Sequence, residues 1–162
     1  MIEVKRLPPE RWGEARDLRL QALKTDPTAF GSSYEEEEKF TMDEWQRRIA
    51  NALFALSDDK PVGTMTYLFD DRIKTKHIAR IFAVYVKPDY RGQGIAKKLL
   101  ENALEQIREN KDVVKVQLMV NPKQKAAVTL YKSKGFTVVG ELKRELKIGE
   151  EFYDEFVMEK ML

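Results

Sequence analysis

The stretch Val84-Tyr85-Val86-Lys87-Pro88-Asp89-Tyr90-Arg91-Gly92-Gln93-Gly94-Ile95-Ala96-Lys97 joins the most apolar strand candidate of the chain to a long amphipathic helix candidate. Two glycines, Gly92 and Gly94, stand where that helix begins. Lacking a Cβ, they let backbone N–H groups approach an anion closely, and the helix end adds roughly half a positive charge. The stretch reads either as a phosphate cradle or as an ordinary glycine-rich turn, and the glycines alone do not separate the two. It is not the dinucleotide fingerprint, because the third glycine of G-x-G-x-x-G falls at Lys97, and no G-x-x-x-x-G-K-[ST] occurs in the chain.

Upstream of the cradle, residues 78–86 are almost continuously apolar, which predicts a strand buried on both faces. Downstream, Ile95, Leu99, Leu100, Ala103, Leu104 and Ile107 recur at helical spacing to about Asn110, and residues 114–120 alternate as a strand does. Strand, helix and strand in that order make a right-handed crossover between parallel strands. Further out, a helix at 125–134 stops at Gly135, and strands at about 137–146 and 152–161 turn back around Gly149.

Toward the N-terminus, strands at 53–57 and 62–69 form a hairpin through Asp58-Asp59-Lys60-Pro61. Thr41-Met42-Asp43-Glu44 has the form of a capping box for a helix ending near Asn51. Residues 28–39, with the glutamate run Glu35 to Glu38, are the least regular part. Pro8-Pro9 opens a helix to about Lys24, stopped by Asp26-Pro27, and residues 2–7 form a first strand. The expected fold is α/β (α+β): one domain over 1–162, with a mixed central sheet of about seven strands flanked by about four helices.

Bulk properties narrow the function classes. At 162 residues, 43% hydrophobic and 35% charged, the chain can bury a real core and is not disordered. Its 29 basic and 27 acidic residues nearly cancel, so no polyanion-binding surface and no nucleic-acid partner is expected. The absence of cysteine removes disulfides, thiolate metal sites and a cysteine nucleophile, and suits a reducing compartment. No apolar run approaches the roughly 20 residues that cross a bilayer, and the charged start does not suit a secretory leader. A cytoplasmic location, without metal or membrane, is the expectation.

Two segments together carry a resemblance. Arg91-x-x-Gly94-x-Ala96, after a strand end of the form Val84-x-Val86-x-Pro88, resembles the acetyl-CoA-binding motif of the Gcn5-related N-acetyltransferases, the GNAT family. About thirty residues on, Val120-Asn121-Pro122-Lys123-Gln124-Lys125-Ala126-Ala127-Val128-Thr129-Leu130-Tyr131-Lys132-Ser133-Lys134-Gly135-Phe136 is similar to that family's second segment, with its Ala-x-x-x-Tyr and closing Gly-Phe. The resemblance implies acetyl-CoA as cosubstrate. Backbone groups of Val84, Tyr85 and Val86 would meet the pantetheine arm, and Gly92, Gln93, Gly94, Ile95, Ala96 and Lys97 the pyrophosphate, with Arg91 adding charge. It also implies that the thioester lies where the strand ending at Val86 splays from the one ending at Val120. A neutral amine would attack it directly, through a tetrahedral oxyanion held by a backbone N–H near residues 84–86. Tyr131 matches the tyrosine that protonates the departing thiolate; the alternative is a helix aromatic packed on the sheet.

The chain departs from the family pattern at three places. The family's asparagine is Gln124, with Asn121 able to share its contact; its glutamates on the two central strands are Arg80 and Met119. No general base is therefore assigned, and Glu35, Glu36 and Asp154 are candidates, while a glutamate run is ordinarily a solvated face. His77, the only histidine, sits in a charged connection. Substrate choice would fall to Arg19, Phe30, Ser33, Tyr34 and Tyr153-Asp154, and the acidic run hints at a cationic acceptor. The expected partner is a small-molecule or peptide amine, with the protein a monomer or homodimer. A non-catalytic acyl-CoA-binding sensor or partner domain, and nucleotide binding at the same glycines, are the alternatives.

Overall fold

The computed structural model describes residues 1–162. Strands β1 (Ile2–Lys5), β2 (Ala52–Ser57), β3 (Lys60–Phe69), β4 (Ile78–Val86), β5 (Lys115–Val120), β6 (Thr137–Ile148) and β7 (Glu151–Met161) form one mixed sheet of seven strands in the order β1-β2-β3-β4-β5-β7-β6. Helices α1 (Trp12–Thr25), α2 (Tyr34–Glu37), α3 (Met42–Ile49), α4 (Ile95–Glu109) and α5 (Lys125–Ser133) complete the fold. The chain divides into two compact units, one of residues 1–67 and 83–105, the other of residues 68–82 and 106–162.

In the first unit a short 3-10 turn at Pro9–Arg11 leads into α1, which buries Ala15, Leu18, Ala22 and Leu23, one apolar stripe at helical spacing. The stripe packs with Phe30, Ile49, Phe54, Leu56 and Tyr85. α3 begins with the expected capping box: Thr41 Oγ1 accepts from Glu44 N at 3.3 Å, and Glu44 accepts from Thr41 N. The β2–β3 hairpin turns on Asp58 and Asp59, both left-handed with φ of 48° and 61°, as a two-residue turn of the right twist requires.

In the second unit β4 and β5 pair in parallel from Ile78↔Lys115 to Ile81↔Leu118, as the strand–helix–strand order predicts. β5 then pairs antiparallel with β7 from Lys115↔Met161 to Val120↔Phe156, and β7 pairs with β6. α5 gives way at Gly135, whose φ of +89° suits glycine.

Two local expectations need correction. β4 is not buried on both faces: Arg80 is exposed and Phe82 is 44% exposed. Ala83, with φ of +56°, breaks the pleat between them and the buried Tyr85 and Val86. The segment taken as irregular holds α2, a single turn whose capping box joins Ser33 and Glu36.

Candidate functional site

The cradle is built where β4 gives way to α4. Lys87 N donates to Val62 O at 2.8 Å, a 3-10 turn follows at Pro88–Tyr90, and Arg91 folds back so that its Nε donates to Val86 O at 2.8 Å. The same guanidinium pairs with Asp26 at 2.6 Å and lies 5.7 Å from the Tyr85 ring centroid. Arg91 is thus committed to bracing the strand end against the chain after α1, and its charge is shared with Asp26. Tyr85 is 3% exposed, and its hydroxyl meets Thr25 Oγ1 at 3.1 Å.

Gly92 and Gly94 follow with φ of +76° and +77°, a conformation side chains rarely adopt. A Cβ at either would meet no atom within 4 Å. The space over both glycines is therefore open. Lys98 N donates to Gly94 O at 3.0 Å, so the amides of Ile95, Ala96 and Lys97 stand ahead of the first bond of α4, where helix geometry leaves N–H groups without intrahelical partners. Ile95 is buried and anchors the turn, while Gln93 and Lys97 are exposed. Open glycines facing orphan amides at a helix N-terminus suit a pyrophosphate.

In the second unit, Asn121 is 4% exposed; its Oδ1 accepts from Lys123 N, and its carbonyl from Gln124 N, both at 2.9 Å. Its side-chain oxygen is thereby used to launch α5. Gln124 precedes that helix, half-buried, with no capping bond from its side chain. Tyr131 is 4% exposed and packs edge-on to Phe136 at 5.9 Å between ring centroids. Burial pushes its phenol well above the usual range, which keeps the proton on and makes the group a donor.

The remaining candidates are mostly engaged. Burial alone would raise the Glu37 carboxyl, but Arg19 at 2.9 Å and Arg48 at 2.8 Å outweigh it and hold it below the ordinary value. Glu37 is 1% exposed, so the acidic run is not wholly a solvated face. Glu36 serves the α2 capping box. Asp154 accepts from Arg144 N at 2.8 Å and pairs with Lys143 at 3.4 Å. Phe30 is buried beneath the Arg19 guanidinium, 4.5 Å from its ring centroid. His77 is half-buried, and its carbonyl accepts from Val114 N at 3.0 Å. No group of three or more histidine, cysteine, aspartate or glutamate side chains is arranged to hold a metal ion.

Reasoning from sequence missed a polar row on the outward face of the second unit. Arg80 pairs with Asp70 at 3.1 Å and donates to Gln117 Oε1; Gln117 Nε2 and Lys115 Nζ reach Glu159 at 2.9 and 2.8 Å. Arg80 also lines a shallow groove with Leu68, Phe69, Asp70, Asp71 and Phe82. The only available signal was a lone polar residue here and there in apolar strands: Arg80 in β4, Lys115 and Gln117 in β5.

The fold is that of the GNAT family. A solved acetyltransferase of the GNAT family from Streptococcus pneumoniae superposes with a TM-score of 0.88 at 25% identity, over 100% of each chain. The PaiA N-acetyltransferase of Thermoplasma acidophilum, solved in complex with coenzyme A, shares the fold with a TM-score of 0.72 at 22% identity, over 100% of this chain and 99% of that one. The chain belongs to the acetyltransferase (GNAT) family, whose model matches residues 18–136. It is 26% identical over 122 residues to the L-amino acid N-acetyltransferase AaaT of Escherichia coli K12, covering 72% of this chain and 75% of the relative. It is 33% identical over 79 residues to the uncharacterized N-acetyltransferase MJ1207 of Methanocaldococcus jannaschii, covering 48% of this chain but only 34% of that protein's length.

Proposed function

We propose that residues 1–162 act as a single N-acetyltransferase domain, which moves the acetyl group of acetyl-CoA to a primary amine of a small molecule or peptide. The observation that carries this reading is the pair of left-handed glycines opening α4, with free space above them and the amides of Ile95, Ala96 and Lys97 ahead of the first helical bond. Family membership supports it, as do relatives named for N-acetylation. Acetyl-CoA, when bound, supplies an activated acyl group on a good leaving thiol.

The roles follow from chemistry. The cradle amides and the helix end hold the pyrophosphate; backbone groups of Val84, Tyr85 and Val86 align the pantetheine arm. Arg91 acts by bracing the cradle rather than by offering a free charge. Tyr131, kept protonated by burial, gives its proton to the departing thiolate. Asn121 holds the chain entering α5, and Gln124, whose side chain makes no capping bond there, meets a coenzyme amide.

The test is release of free thiol from acetyl-CoA in the presence of L-amino acids, an alanyl peptide and spermidine, beside calorimetry with coenzyme A. Turnover with at least one amine is the expected result. Binding of coenzyme A with no turnover across the panel would favour a non-catalytic acyl-CoA-binding domain, and protection by ATP or NAD instead would place a nucleotide at the glycines.

A further inference from the structure

Asp26 stops α1 and precedes the short 3-10 turn Pro27–Ala29, a place where an aspartate ordinarily caps the turn that follows. Here its side chain makes no capping bond. Its backbone is held on both sides, the N–H donating to Ala22 O at 2.9 Å and the carbonyl accepting from Ala29 N at 3.0 Å, so the carboxylate projects from a fixed point. It reaches instead a residue 65 positions along the chain: Asp26 Oδ2 accepts from Arg91 Nη2 at 2.6 Å. The neighbours of Asp26 converge on the same strand end. Thr25 Oγ1 and the Tyr85 hydroxyl share a hydrogen bond of 3.1 Å, and the Phe30 and Tyr85 ring centroids are 6.5 Å apart. Arg91 in turn gives its Nε–H to Val86 O at 2.8 Å and stands directly before Gly92, the first left-handed residue of the cradle. All of these residues lie in the unit of residues 1–67 and 83–105.

We propose that Asp26 is a positioning residue for coenzyme A, acting through Arg91. This rests on reading the two glycines and the amides of Ile95, Ala96 and Lys97 as a pyrophosphate cradle, and adds to it what keeps the cradle in shape. An arginine next to a diphosphate site is subject to two attractions. Without a counter-ion its long side chain would be drawn toward the bound anion, and Val86 O would lose the Nε–H that ties the end of β4 to the turn. The Asp26 carboxylate opposes that pull. It engages Nη2 while the Nε–H stays on Val86 O and the guanidinium stays 5.7 Å from the Tyr85 ring centroid. Two donors in fixed directions are what a guanidinium offers and an ammonium does not, which is why arginine suits the brace. The pair is only partly shielded, with the Asp26 side chain 28% and the Arg91 side chain 45% exposed, so its effect on binding is moderate.

The test is calorimetry with coenzyme A, well below the melting transition, on the full chain and on Asp26→Asn, Asp26→Glu, Arg91→Met and the double variant Asp26→Asn/Arg91→Met, each shown to be folded by circular dichroism. Asp26→Asn should weaken coenzyme A binding by roughly 3–10-fold, between the effects of an exposed ion pair and of a charge-assisted hydrogen bond, and Asp26→Glu should recover part of the loss. Arg91→Met should weaken binding at least as much. Adding Asp26→Asn to it should then cost less than a further ~2-fold, because the carboxylate acts on the cradle only through the guanidinium. A pair that serves the fold alone would lower the melting temperature and leave the affinity of the folded protein unchanged. Unchanged or tighter binding in Asp26→Asn, an Asp26→Glu variant no better than Asp26→Asn, or losses that add in the double variant would overturn the role of Asp26 and leave the cradle standing. A wild-type chain that does not bind coenzyme A would overturn the cradle reading itself.

Discussion

Gly94 is the residue on which cofactor binding turns most directly. Gly94→Val places a branched side chain in the open space above a left-handed backbone, and should abolish measurable coenzyme A binding in calorimetry. The backbone conformation alone costs roughly 1–2 kcal/mol for a residue with a Cβ, and Gly94→Ala, carrying that cost without the branch, should retain part of the affinity. Tyr131→Phe keeps the ring that packs on Phe136 and removes only the proton donor. It should lower kcat toward the small end of the ~10²–10⁴-fold range for one acid–base group, with coenzyme A affinity intact, because a thiolate already leaves readily. A variant with wild-type kcat, where acetyl transfer limits the rate, would return Tyr131 to packing. The glycines and the tyrosine are legible in the sequence because their signal is local. Glu37 is not, since what decides it is a partner elsewhere in the chain: Arg19 lies 18 residues from the carboxylate it neutralises.

At the scale of elements, β3 approaches the cradle's supports so closely that a Cβ at position 63 would be crowded. A Cβ there would stand 3.1 Å from Tyr85 O, 3.3 Å from Ile95 Cγ2 and 3.4 Å from Leu99 Cδ1. Gly63→Ala should therefore destabilise the protein by about 1–3 kcal/mol in urea unfolding, and weaken coenzyme A binding by shifting the strand end and the first turn of α4. Most elements could be read from periodicity to within a residue or two, including the parallel β4–β5 pair and the final hairpin. Two could not. A four-residue helix such as α2 is too short to show a period, and its capping box is its only mark. β4 was misjudged on burial because a run of apolar letters hides the ordinary alternation of a strand, by which Ala79 and Ile81 are buried while Arg80 and Phe82 are exposed.

At the scale of the whole molecule, acid should act on stability through Glu37. Its folded pKa is depressed, so its contribution is fully present above the unfolded value of about 4.3 and is lost as pH falls through the lower folded value. Glu37→Gln should be less stable than the wild type at pH 7, and the gap should close as the pH is taken from 5 toward 3 in thermal unfolding. Glu37→Ala should cost about 3 kcal/mol at neutral pH, near the low end for a broken buried pair, because the Arg48 side chain is 43% exposed and keeps some water. No helix is long and apolar enough to cross a membrane. The division of the chain into two compact units has an optical corollary: both tryptophans, Trp12 and Trp45, fall in the unit of residues 1–67 and 83–105. Indole emission therefore watches that unit alone, whereas far-ultraviolet circular dichroism sums over both, and the two melting curves should coincide if the chain unfolds as one cooperative body.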